Sequence, residues 1–159
     1  MHETIDLFTQ EWWIVNLITI TTITLLLLYA KNLKDSRLIK FTYLCGIFLC
    51  SRVIFMQFYQ VYIDKWFAAS SIPIHLCGLA AILSGLVILK KNQLAYECLF
   101  YWGLGGALQS FLTPEMNLGK TDSILYLDYF ISHGGIIFAA LFYVKSIYDK
   151  RRLNSLINS

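Results

Sequence analysis

Charge is what this 159-residue chain has least of: Asp, Glu, Lys and Arg together make up 14% of it, where a soluble domain carries about a quarter. That shortage, beside a hydrophobic content of 57% and a mean hydropathy of +0.59, excludes an ordinary water-soluble globule. Paired cysteines are lacking too. Cys45, Cys50, Cys77 and Cys98 all fall in apolar runs with no paired spacing, so they form no disulfide framework. Zinc-finger spacing and other nucleic-acid motifs are missing, and the net charge of +3 sits on residues that flank apolar spans. Those residues are topology determinants, and no nucleic-acid partner is expected. The N-terminus has no basic n-region, and no small-residue cleavage site follows the first apolar run. That run is therefore read as a retained span and not as a signal peptide. The Gly103-Leu104-Gly105-Gly106 run lacks the lysine and the strand-to-helix setting of a phosphate loop and reads as helix packing. No metal and no cofactor is expected.

What is present is a set of apolar stretches about 20 residues long, enough to cross the hydrocarbon core as helices. The predicted fold is all-α, a polytopic transmembrane helical bundle forming one integral membrane domain over residues 1–159. Five spans are expected at about 13–30, 41–63, 67–89, 94–112 and 124–144. Lys31, Lys34, Arg37 and Lys40 follow the first span, Lys90 and Lys91 end the third, and Lys145, Lys150, Arg151 and Arg152 follow the fifth. The acidic N-terminus and the remaining loops carry no such excess, so the positive-inside bias places the N-terminus outside and the C-terminus inside. Trp12 and Trp13 are expected at the headgroup boundary. Thr19, Thr21, Thr22 and Thr24 are expected to bond back to their own helix. Small residues recur at packing intervals, Gly103 with Ala107, Gly106 with Ser110 and Gly135 with Ala139.

Polar groups inside those spans are the functional signal, since they are costly at membrane depth. Arg52 lies near the middle of span two, where a structural ion pair and a contact to a ligand carboxylate or phosphate are equally plausible. Ile72-Pro73-Ile74-His75-Leu76-Cys77 puts a histidine and a thiol into span three, Gln109 and Thr113-Pro114 close span four, and Asp128 and His133 lie on span five. At ~1.5 Å rise per residue, Cys77 falls roughly 15 Å and His133 roughly 13 Å below the outer boundary, with Arg52 at a similar depth. Gln109 and Asp128 fall about one turn inside the same surface. One cavity open to the outer half of the membrane can hold all five.

A thiol and an imidazole on different helices suggest a nucleophile and its base. His75 stands two residues from Cys77 and points to nearly the opposite side of a regular helix, so His133 is the better base unless Pro73 opens that turn. Gln109 then donates to an oxyanion, and Arg52 holds a lipid phosphate or carboxylate. Cys45, Cys50 and Cys98 are read as inert small hydrophobes. Two other classes stay open. His75 and His133 have the depths to ligate a haem iron from both faces, and Arg52 with Asp128 suits a non-enzymatic transporter or ligand-binding module.

Three pieces in order carry a resemblance: Pro73-Ile74-His75-Leu76-Cys77; then Tyr101-Trp102-Gly103-Leu104-Gly105-Gly106-Ala107-Leu108-Gln109 with Leu112-Thr113-Pro114; then Phe130-Ile131-Ser132-His133-Gly134. The chain from about Phe67 to Tyr143 resembles the YwaF-type family of bacterial integral membrane proteins. That family is similar to a eukaryotic transmembrane group that includes a cysteine-dependent phospholipid acyltransferase. The resemblance implies a multi-pass protein of the bacterial plasma membrane and acyl-lipid transfer or hydrolysis through a thioester, with Cys77 as nucleophile and His133 as the matching histidine. Membrane lipids are the expected partners. Members of the family usually continue into further spans with a Gly-x-Asn-Tyr stretch, so missing C-terminal partner spans or a helix-to-helix homo-oligomer are expected to complete the bundle. Gly78 stands where many members carry a polar or acidic residue.

Overall fold

The computed structural model describes residues 3–73, 76–90, 92–116 and 122–157. Almost all of them are helical. The elements run β1 (Glu3–Thr4), α1 (Gln10–Lys31), α2 (Asp35–Tyr62), α3 (Ala68–Ser71), α4 (Leu76–Lys90), α5 (Gln93–Cys98), a π-helical turn (Leu99–Leu104), α6 (Gly105–Leu112), β2 (Glu115–Met116) and α7 (Ser123–Ile157).

Three of these helices are long and apolar enough to cross a membrane: Gln10–Lys31, Asp35–Tyr62 and the Ser123–Val144 part of α7. The other two predicted spans take different forms. Span three is broken, because Pro73 has no N–H to give a helix and forces the residue before it out of the helical region. Ile72 accordingly sits at φ −68°, ψ 123°, and α4 starts afresh at Leu76 as a shorter apolar helix. Span four is a helical run over Gln93–Leu112 interrupted by the π turn. A π turn inserts residues relative to α-helical phase and so re-aims the segment beyond it. Span two begins earlier than expected, at Asp35, since Asp35 suits the positive end of a helix and extends it back past Lys40.

The centre of the bundle is α7, which packs against α1, α4 and α6 while α2 lies along α4. Its inner face is fully enclosed at Ile136, Ala139 and Ala140. Consecutive glycines let two neighbours in: a β-carbon on Gly134 would stand 2.9 Å from Thr19, and one on Gly135 would stand 2.6 Å from Leu49. α2 and α4 pack closely at Gly46 and Gly85, where a β-carbon on Gly85 would lie 3.1 Å from the Gly46 carbonyl oxygen and would collide with Cys50 Sγ. In hydrocarbon, helices associate by such close backbone packing and not by burial of apolar surface. The outward faces are accordingly apolar: Leu17, Ile18, Ile20 and Leu25 on α1, and Leu44, Phe48, Ile54 and Phe58 on α2, are all exposed.

Three threonines on α1 are satisfied locally. Thr19, Thr22 and Thr24 each donate to the carbonyl one turn earlier at 2.8 Å. The tryptophans divide. Trp13 is exposed, but Trp12 is buried and its indole N–H donates to the Phe111 and Leu112 carbonyls at 3.0 and 3.1 Å. Asn16 also reaches the Phe111 carbonyl. Trp12 is thus a clamp between α1 and the end of α6, satisfying terminal carbonyls that the helix itself leaves without partners. Next to it, β1 pairs antiparallel with β2, Glu3 opposite Met116 and Thr4 opposite Glu115. This short ribbon covers a small second core of Ile5, Trp12, Met116 and Phe130.

Candidate functional site

A cavity of about 550 Å³ opens between α2, α4, α6 and α7. Arg52, Cys77, Gln109, Asp128 and His133 all line it, together with Ser110, Tyr129 and Ser132. The residues that depth alone suggested therefore do share one hollow. His75 lies outside the described residues.

Cys77 owes its place to the break at Pro73. It is the second residue of α4, at the end of the helix that favours negative charge. Gly78 is part of that arrangement: a β-carbon there would stand 2.8 Å from the Pro73 Cα, so Pro73 packs against a position with no room for a side chain. The sulfur rests on α6, 3.5 Å from where a β-carbon on Gly106 would stand, and the Ser110 hydroxyl beside it in the cavity wall donates to the Gly106 carbonyl at 2.9 Å.

His133 is buried, and its Nδ1 lies 2.7 Å from the Tyr129 carbonyl oxygen. A carbonyl can only accept, so Nδ1 carries the proton and Nε2 is the basic nitrogen of the neutral ring. The Tyr129 ring lies against the imidazole, centroids 4.4 Å apart. Its hydroxyl donates to the Ser110 carbonyl at 3.0 Å and accepts from the Glu115 N–H at 3.2 Å.

Arg52 forms a salt bridge with Asp128 and donates to Ser132 Oγ at 3.0 Å. Of the two roles open to the arginine, the structure shows the ion pair, which ties α2 to α7 along the cavity wall. Gln109 is exposed at the cavity edge and donates its amide to Thr113 Oγ1 at 2.9 Å. Gln57, further along α2, braces the break by donating to the Ser71 carbonyl at 2.7 Å and accepting from the Trp66 indole at 3.0 Å. Ser110, Tyr129 and Ser132 were not singled out as site residues from sequence. Ser110 had shown only as a small packing residue, and a tyrosine in an apolar span carries no signal of its own. Among the described residues, no group of three or more His, Cys, Asp and Glu is placed to hold a metal ion.

The fold and cavity define a helical membrane protein with a polar, cysteine- and histidine-lined hollow beneath one surface. A model of the TMEM164 family matches residues 7–156, and the chain belongs to that family. No curated protein and no solved structure matches it.

Proposed function

We propose that this protein transfers or hydrolyses acyl groups of membrane lipids through a thioester on Cys77, with His133 as the general base. The observation that supports the reading is that both side chains line one cavity, from helices far apart in the sequence. A thiol needs a base and an anion-stabilising setting to attack an ester. The Nε2 of His133 supplies the first, and the start of α4 supplies the second.

In the first half-reaction, His133 takes the thiol proton and the sulfur attacks the ester carbonyl. N–H groups of the first turn of α4 stabilise the oxyanion, a role for which Gln109, turned to Thr113, is less suited. The carbon–oxygen bond to the leaving alcohol breaks, His133 returns the proton to that alcohol, and the acyl group stays on sulfur. In the second half, a lipid hydroxyl or water gives its proton to His133 and attacks the thioester, which frees the thiol. Arg52 and Asp128, joined to each other, hold α2 and α7 at the spacing the substrate needs.

The same reading takes the chain across the bilayer five times, with the broken α3–α4 segment and the Gln93–Leu112 helical run as the third and fourth crossings. Alternation of basic and non-basic loops supports an outside N-terminus and an inside C-terminus. The YwaF-type likeness supports a bacterial plasma membrane as the location.

Intact-mass analysis of protein incubated with phospholipid tests the chemistry. An acyl-sized adduct on the wild type, lost in Cys77→Ser, is expected. Specific lipid binding with no adduct, unchanged in Cys77→Ser, would instead mark a transporter or binding module.

A further inference from the structure

The cavity wall includes β2 and the residue before its turn: Thr113, Glu115 and Met116 all line the hollow. A strand of two residues has little hold of its own, and a two-stranded ribbon by itself is marginal. Among the described residues, β2 is tied from two sides. On the α7 side, the Glu115 N–H donates to the Tyr129 hydroxyl at 3.2 Å. On the other, β1 pairs with it, Thr4 opposite Glu115 and Glu3 opposite Met116. The Ile5 N–H extends that pairing to the Pro114 carbonyl at 3.1 Å, and the Ile5 side chain is buried with Met116, Trp12 and Phe130. The start of the chain thus fixes a strand in the wall of the cavity that holds Cys77 and His133.

The turn joining β1 to α1 is strained. Phe8 stands at φ 63°, in the left-handed region that a bulky side chain occupies only at a cost. Thr9 closes the turn, donating its hydroxyl to the Asp6 carbonyl at 2.8 Å and accepting from the Trp12 N–H at 3.3 Å. The segment is therefore latched by Ile5 at one end and rooted by Trp12 at the other, with the strained residue between. Such strain persists only while its surroundings enforce it, so unlatching Ile5 relieves it. Local opening also selects segments with few buried contacts and exposed hydrogen bonds. The ribbon is such a segment; the long helices are not.

We propose that residues 3–9 form a strap that gates the cavity. Paired with β2, the strap keeps the wall closed; peeling from β2 about the Asp6–Thr9 turn widens the mouth for a lipid. The gate governs entry, whether the lipid then reacts or is only bound.

A reversible lock tests it. Residues opposite each other in an antiparallel ribbon have Cα atoms about 4.5–5.5 Å apart, within reach of a disulfide, so the pair Thr4→Cys and Glu115→Cys can be closed by oxidation. Cys77 alkylation is followed by peptide mass with two reagents, iodoacetamide and a bulky polyethylene-glycol maleimide. When opening and closing are fast, the bulky reagent reads the open population. Oxidation is expected to slow the bulky reagent at least tenfold, to leave iodoacetamide unchanged, and to be reversed by reduction. Ile5→Asp, which puts a carboxylate into the apolar latch, is expected to raise the bulky-reagent rate by roughly tenfold. A bulky-reagent rate indifferent to the lock would overturn the gate, and so would an equal change with both reagents. Phospholipid binding as fast in the locked protein as in the reduced one would overturn it too, since lipid would then enter between the helices. Absence of an acyl adduct in every form removes the acyl chemistry alone, and the alkylation contrast still decides the gate.

Discussion

The Nδ1 of His133 points back along its own helix to the Tyr129 carbonyl oxygen, 2.7 Å away. A carbonyl only accepts, so that bond places the proton of the neutral ring on Nδ1. His133→Asn keeps an N–H near the Nδ1 position and His133→Gln reaches toward the Nε2 position, yet neither amide is a base. Both are expected to lower the rate of acyl-adduct formation by about 10²-fold or more. Cys77 should remain open to alkylation in both variants. Time-resolved intact mass measures the first quantity and peptide mass the second; an adduct rate unchanged in either variant would remove His133 from the mechanism.

Arg52 and Asp128 should behave as one unit. Removing either partner leaves a largely buried charge alone, and such losses cost about 3 kcal/mol. Arg52→Ala and Asp128→Ala are each expected to destabilise the protein by about that amount, and the double variant by clearly less than the sum. Unfolding of all four species in the same detergent closes the cycle. Strict additivity would mean that the pair carries no coupling.

Two glycines should respond in opposite directions to the same change. Gly78→Ala puts a methyl group 2.8 Å from the Pro73 Cα, and overpacking of that kind costs about 1–3 kcal/mol. It is expected to displace Cys77 and slow its alkylation. At Gly105 nothing lies within 4 Å of the added carbon. Gly105→Ala should therefore stabilise its helix by about 0.5–1 kcal/mol. Thermal unfolding of the two variants side by side checks the contrast.

Asp122 starts α7, accepting from the Ile124 and Leu125 N–H groups at 2.9 Å each and from the Tyr59 hydroxyl at 2.8 Å. The Leu125 amide, aided by Tyr59, the Ile124 amide and Lys65, holds its carboxyl below the usual carboxylate range. A depressed carboxylate stabilises the fold fully above its unfolded value, and the contribution is lost as pH falls through the folded one. Asp122→Ala should cost about 1 kcal/mol at neutral pH. Asp122→Asn should keep most of the cap while removing this residue's share of the acid dependence. Unfolding temperatures from neutral pH down to about pH 3 in wild type and Asn variant test the sign.

The break before α4 shows how far sequence reading reached. Pro73 was visible as a disturbance of span three, and its effect on the helix follows from its ring alone. That Pro73 packs so tightly against α4 as to leave no room for a β-carbon at Gly78 was not visible, because the contact depends on the tertiary placement of the backbone. The same division holds at Trp12. An indole at the start of an apolar run reads as a headgroup anchor, whereas its actual partners are the carbonyls of Phe111 and Leu112, about a hundred residues on in the chain.

Scarce charge and long apolar runs were enough by themselves to determine a helical membrane protein, because hydrocarbon admits few other ways to satisfy a spanning backbone. They also picked out Arg52, Cys77, Gln109, Asp128 and His133, since polar groups at that depth stand out against their surroundings. Which of those groups meet was decided only by the tertiary structure. The π turn re-aims α6, the glycines of α7 set how closely α1 and α2 approach, and the Tyr129 hydroxyl ties α7 to the Ser110 carbonyl of α6. None of this can be read along a helix, because side-chain direction about the axis, unlike depth, depends on the helices packed beside it.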